Sequence, residues 1–166
     1  MAHQPAPYHL QNLPDREISD PKAVQELLKA GKYVVIALCH NNEPYVVTLS
    51  YGYDEQNNTM YFHGSRKGMK LDFIRENPAV CATLIEDHGY VPEQCSHNYK
   101  TLIIRGRMEL VTELEEKRKG MDVMLGHLEK EPTSIQKLKL KSEAMYEHFS
   151  ILKLSITQIT GKAGLG

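Results

Sequence analysis

The chain has no tryptophan, and its longest apolar run, residues 33–39, is far too short to cross a bilayer. Cysteine is scarce. Cys39, Cys81 and Cys95 are odd in number and widely spaced, and no C-x-x-C occurs, which excludes a disulfide framework. Free thiols in a reducing cytoplasm are the simplest account, so a cytoplasmic protein is expected. Charge of neither sign dominates: 20 Lys and Arg against 21 Asp and Glu leave a net charge of −1. That excludes a general binder of nucleic acid or anionic membrane, which carries a basic excess. Any anion site must be a local cluster. Residues 1–17 show no basic start and no apolar run, so no secretory signal is expected.

Several catalytic signatures are also missing. There is no G-x-x-x-x-G-K-[ST] and no G-x-S-x-G elbow. The glycine-rich end, Gly161 to Gly166, follows no βα pattern and is no dinucleotide fingerprint. His88, Cys95 and His97 share one segment and Cys39-His40 another, but neither has zinc-finger spacing, so no metal is expected. Cys95 has no flanking signature of a nucleophile.

What remains is a chain of 166 residues, 41% apolar and 25% charged, which suits one globular domain. We divide it into an arm over 1–17, a single domain over 18–162 and a tail over 163–166. Asp20-Pro21 opens a helix, with Val24, Leu27 and Leu28 as its stripe and Gly31 as its end. Residues 33–39 read as a strand buried on both faces. Asn41-Asn42 turns the chain into a second strand, 44–53. There Tyr45, Val47, Leu49 and Tyr51 share one face, and Val46, Thr48, Ser50 and Gly52 share the other. The second face is small enough for a flat ligand to lie against; equally, it suits water or a close neighbouring strand.

A third strand, 59–63, places Tyr61, His63 and Ser65 on one face. Further strands are expected over 80–86, 99–111 and 149–159, with a polar loop over 88–98. On the fifth strand Thr101, Ile103, Arg105 and Arg107 share a face. Thr112-x-x-Glu115 is a capping box, and Met121, Met124, Leu125 and Leu128 form the stripe of the helix it opens. Pro132 breaks the chain before a helix over 134–147. Strands joined by turns, with helices inserted, suggest a mainly β (α+β) fold: a six-stranded antiparallel barrel with flanking helices.

The chemistry concentrates at Tyr61-Phe62-His63-Gly64-Ser65-Arg66-Lys67-Gly68-Met69-Lys70. A strand bends through Gly-Ser into a helix over 67–77. Such a bend leaves backbone N–H groups unpaired at the positive end of a helix dipole. Arg66, Lys67 and Lys70 add charge, and Ser65 adds a hydroxyl donor. The arrangement suits a phosphate, or else is a basic surface turn.

The order of motifs resembles the split-barrel flavin-binding proteins related to pyridoxamine-phosphate oxidase, and within them the nitroimidazole-resistance (Nim) branch. The likeness is carried by Pro44 to Tyr53, Tyr61 to Ser65 with Lys67 and Lys70, Glu76 to Cys81, Cys95, Tyr99-Lys100-Thr101, Gly106-Arg107 with Glu109, and Ile159 to Lys162. It implies a split β-barrel and a homodimer holding FMN at its interface. Val47, Thr48, Leu49 and Ser50 would flank the flavin ring. His63, Gly64, Ser65, Lys67 and Lys70 would hold ribityl and phosphate oxygens, and Tyr99, Lys100 and Thr101 would reach in from the other subunit. His63 is the implied catalytic residue, delivering a proton or orienting a small-molecule substrate such as a nitroaromatic. A flavin carrier or sensor without turnover, or a haem or deazaflavin barrel, are the alternatives. The segment from Cys95 to Thr101 departs from the family in lacking an aromatic before its Tyr-Lys-Thr, which bears on the substrate pocket.

Overall fold

Asp20 starts the first helix by accepting a hydrogen bond from the Lys22 N–H at 3.0 Å, with Pro21 in the first turn, where a missing N–H costs nothing. The computed structural model describes residues 14–164. Most of the expected arm, 1–13, and residues 165–166 lie outside the described residues. Helix α1 (Pro21–Ala30) leads into β1 (Tyr33–His40), β2 (Glu43–Asp54) and β3 (Thr59–Gly64). Helix α2 (Met69–Glu76) precedes β4 (Ala79–Val91) and β5 (Ser96–Leu110). Helices α3 (Leu114–Leu128) and α4 (Pro132–Lys139) and a 3-10 turn over Glu143–Glu147 precede β6 (Ser150–Gly164).

The six strands close into an antiparallel barrel in the order β1-β2-β3-β6-β5-β4. Asn41 and Asn42 both take positive φ, 50° and 64°, the conformation a two-residue hairpin needs and asparagine tolerates. Alternation along each strand then decides what faces inward. Val34, Ile36, Leu38, Met60, Phe62, Leu102, Ile104, Leu152 and Leu154 fill the barrel and are at most 3% exposed. Each contributes about 1.5–3 kcal/mol by leaving water. A second core lies outside the barrel wall, where Met121, Met124 and Leu125 of α3 pack on Tyr61 and Ile151.

Several expectations need correction. The β1 strand is buried on one face only; Tyr33 is 59% exposed and Ala37 is also open, because none of the described residues covers that side. The expected loop over 88–98 is instead a ribbon. β4 and β5 stay paired past a register shift between Asp87 and Tyr90, and the turn is confined to 92–95. Polar side chains there sit on a two-stranded extension with water on both faces, so their polarity did not mean loop. The capping box does not form: α3 has no side-chain cap, and Thr112 turns its hydroxyl toward Glu113. The helix expected over 134–147 starts earlier, with Pro132 in its first turn, and α4 stops at Lys139. β6 runs on through Ala163 and Gly164.

Two side chains fasten α1 to this frame. The Tyr51 hydroxyl donates to the Leu28 carbonyl at 2.6 Å, and His127 Nε2 donates to the Gly31 carbonyl at 2.6 Å. Both carbonyls lie at the end of α1, where intrahelical partners run out.

Candidate functional site

β3 ends at Gly64, and the next helix does not begin until Met69. Lys67 therefore lies in the turn, not in the helix as its spacing suggested. Two features hold the turn open. Ser65 Oγ donates to the Lys67 carbonyl at 2.7 Å, and Gly68 takes φ 135°, which side-chain-bearing residues rarely adopt. No side chain caps α2; the Leu71 N–H donates to the Gly68 carbonyl at 2.9 Å, which leaves the N–H groups of Met69 and Lys70 at the positive end of the helix. Lys70, in that first turn, folds back over the strand end. A Cβ on Gly64 would stand 3.2 Å from Lys70 Cε and 3.4 Å from Nζ. Among the described residues, no carboxylate lies within ion-pair distance of Arg66, Lys67 or Lys70.

His63 stands beside this turn on the outer face of β3, its ring edge-on to Phe149 at 5.2 Å. The ring is open on one side, yet the packing behind it lowers its pKa by desolvation, and the Lys70 charge lowers it further. The neutral imidazole is thus favoured.

The outer face of β2 continues the wall. Thr48 and Ser50 are exposed, as their alternation predicted, whereas Val47 and Leu49 turn their side chains toward the core and offer the site only backbone. Gly52 is not part of a ligand face. α3 covers it so closely that a Cβ there would meet Met124 Cα and N at 2.5 Å.

Ser50 and His63 open onto a cavity of about 460 Å³, roofed by α3, α4 and the segment 145–149. Its lining is almost entirely apolar, including Met121, Met124, Leu125, Leu128 and Ile135. The α3 stripe therefore serves twice, as core and as cavity wall. Arg66 lines a second cavity of about 330 Å³ with Arg75, Thr112 and Lys117, and Phe149 lines both.

Tyr99, Lys100 and Thr101 lie elsewhere. Thr101 pairs with Lys162, whereas His63 pairs with Ile151, so they stand eleven residues apart along β6. Across the sheet the other way the ligand face is nearer: Thr48 pairs with Val35, Val35 with Thr83 and Thr83 with Ile103, three strand spacings or roughly 14 Å. Lys100 is engaged with Glu86 at 3.2 Å, and His97 with Asp87 at 2.7 Å. No cluster of metal-ligating side chains occurs among the described residues, and no helix there is long and apolar enough to cross a membrane.

A family model described as pyridoxamine 5'-phosphate oxidase matches residues 20–163. The chain belongs to that family. Among solved structures of the pyridoxamine 5'-phosphate oxidase fold, it is similar to a candidate 5-nitroimidazole antibiotic-resistance protein from Bacteroides thetaiotaomicron. The TM-score is 0.75 and the identity 25%, over 89% of this chain and 86% of that one. It also resembles the flavocytochrome Anf3 from Azotobacter vinelandii, with TM-score 0.75 and 21% identity over 90% and 70% of the two chains. A FAD and haem binding protein from Mycobacterium smegmatis gives TM-score 0.75 at 16% identity, over 91% and 74%. These last two likenesses establish the fold. A curated relative, an uncharacterised protein of Rhizobium meliloti, is 27% identical over 85 residues, 51% of this chain, and the match spans 50% of that protein's length.

Sequence reading placed His63, Gly64, Ser65, Lys67 and Lys70 on one strand–turn–helix stretch, and the barrel sets the expected Ser50 beside His63 on the wall of one cavity. It missed the cavity. The available signal was the run of methionines and leucines from Met121 to Leu128, which it assigned to core packing alone.

Proposed function

We propose that this member of the pyridoxamine 5'-phosphate oxidase family is an FMN-dependent oxidoreductase that acts as a homodimer on a nitroaromatic or quinone-like compound. The observation that carries the reading is the juxtaposition of an uncapped helix start, three cations without carboxylate partners and the small outer face of β2. The residues fit the group. Lys67, Lys70, Ser65 and the first N–H groups of α2 would hold the phosphate, which needs charge-assisted donors to offset about two negative charges. Thr48 and Ser50 leave room for the ring, with the backbone of Val47 and Leu49 as donors and acceptors at its edge. When bound, FMN supplies the electron transfer; the protein supplies orientation and electrostatics.

His63 faces the same space. Held neutral by its surroundings, it can orient a substrate by hydrogen bonding or pass on a proton it accepts, and it is poorly suited to stay charged at neutral pH.

The homodimer is supported by a sheet face that none of the described residues covers. Tyr33, Val46 and Ile85 are 59%, 58% and 56% exposed, and the register places Val35 between Thr48 and Thr83, with Ile103 beyond. A contiguous apolar sheet face of this kind marks an interaction surface. A second copy laid there would bring its own Tyr99, Lys100 and Thr101 toward the ligand. The likeness to a candidate nitroimidazole-resistance protein supports the choice of substrate class. Anaerobic reduction of the FMN-loaded protein followed by a nitroimidazole tests turnover. Reoxidation faster than that of free FMN supports the enzyme; an equal rate leaves a flavin carrier.

A further inference from the structure

We infer that the cavity between the barrel wall and α3–α4 takes a neutral, flat, apolar substrate of at least two fused rings, larger than a single nitroimidazole ring. The inference deepens the reading of the His63 site and rests on it.

Three observations carry it. The first is size: about 460 Å³ falls in the range of about 300–1,000 Å³ that holds drug-sized ligands. A lone five-membered ring would leave much of the apolar lining wet, forfeiting the burial that drives binding there. The second is lining. Met121 and Met124 from α3 and Met145 from the turn over Glu143–Glu147 all line it, and sulfur against an aromatic edge is a favourable and adaptable contact. The third is charge. Besides the imidazoles of His63 and His148, the lining carries one acid, Glu129, and one base, Lys139, so neither sign of fixed charge dominates it. The polar groups at the inner wall, Ser50 and His63, give such a ligand one hydrogen-bonding end beside the proposed flavin ring. A fused-ring quinone has this form.

Calorimetric binding of menadione and of metronidazole to the FMN-loaded protein tests the inference, with flavin content read separately from the visible spectrum. Menadione is expected to bind at least about tenfold more tightly than metronidazole. Leu128→Trp, which fills the cavity from α3, and Met145→Gln, which makes its wall polar without adding bulk, are each expected to weaken menadione binding by about tenfold or more at unchanged flavin content and melting temperature. Equal affinities for the two probes, or menadione binding unchanged in a folded, flavin-loaded Met145→Gln protein, would overturn the inference. A protein that takes up no flavin at all would instead contradict the proposed function, a distinct result.

Discussion

Lys70 lies folded against Gly64, its ammonium at the point where β3 gives way to the turn before α2. The contact is possible because position 64 has no side chain. It brings a cation to His63 and to the open N–H groups of α2 at once. Gly64→Ala therefore displaces the flexible end of Lys70 by a few tenths of an ångström at little cost to the fold. Expected are an unchanged melting temperature and FMN affinity reduced several-fold, measured by quenching of flavin fluorescence.

Replacing the two lysines of the turn has a larger effect. Lys67→Ala with Lys70→Ala removes charge-assisted donors worth about 1.5–3 kcal/mol each. The double variant should lose about 2 kcal/mol or more of FMN binding, and isothermal titration reads this directly. Unchanged affinity would remove the phosphate from this turn.

α3 is seated by an absence of side chain. Gly52→Ala drives a methyl into the α3 backbone at Met124, which cannot yield as a side chain does. A destabilisation of about 2 kcal/mol or more is expected, by overpacking. Because α3 also walls the cavity, menadione binding should fall with it. Denaturant melts of this variant beside Gly126→Ala, which meets nothing within 4 Å, give the comparison.

The link between α1 and the barrel is sensitive to acid. Desolvation lowers the pKa of His127, more than its bond to Gly31 raises it, and His63 is lowered by desolvation and Lys70. A histidine depressed in the folded state contributes stability that is fully present above the ordinary imidazole range. That stability is lost as pH falls through the lowered folded values, because the unfolded chain takes up the proton first. Melting temperature should be flat from about pH 8 to about pH 7 and fall below about pH 6.5. His127→Gln should flatten part of that fall. Tyr51→Phe should instead lower stability at every pH by about 1–2 kcal/mol, since it leaves the buried Leu28 carbonyl without its donor.

Much of this was legible in the residues, and the failures have physical causes. Period-two alternation located β2 and put Thr48 and Ser50 on one face together; the structure shows that face exposed at both positions. Asp20-Pro21 and Asn41-Asn42 signalled their helix and turn through local backbone chemistry alone. The β4–β5 ribbon was read as a loop because strands with water on both faces carry no hydrophobic period. Thr112 and Glu115 looked like a capping box, but such a motif is a competition among local hydrogen bonds, and here Thr112 turns to Glu113. Gly52 shared the alternation of Thr48 and Ser50, yet α3, more than sixty residues later, covers it and not them. No local pattern encodes that contact. The separation of His63 from Thr101 likewise follows only from strand register.

The central claim is that the turn from Gly64 to Lys70 grips a phosphate carried by a flavin. Side-by-side titration of the protein with FMN and with riboflavin, which differ only in that phosphate, tests it most directly. The account predicts saturable binding of one FMN per chain, at least about thirtyfold tighter than riboflavin, with the difference abolished in the Lys67→Ala, Lys70→Ala double variant. Equal affinity for the two flavins, or none for either, would contradict it.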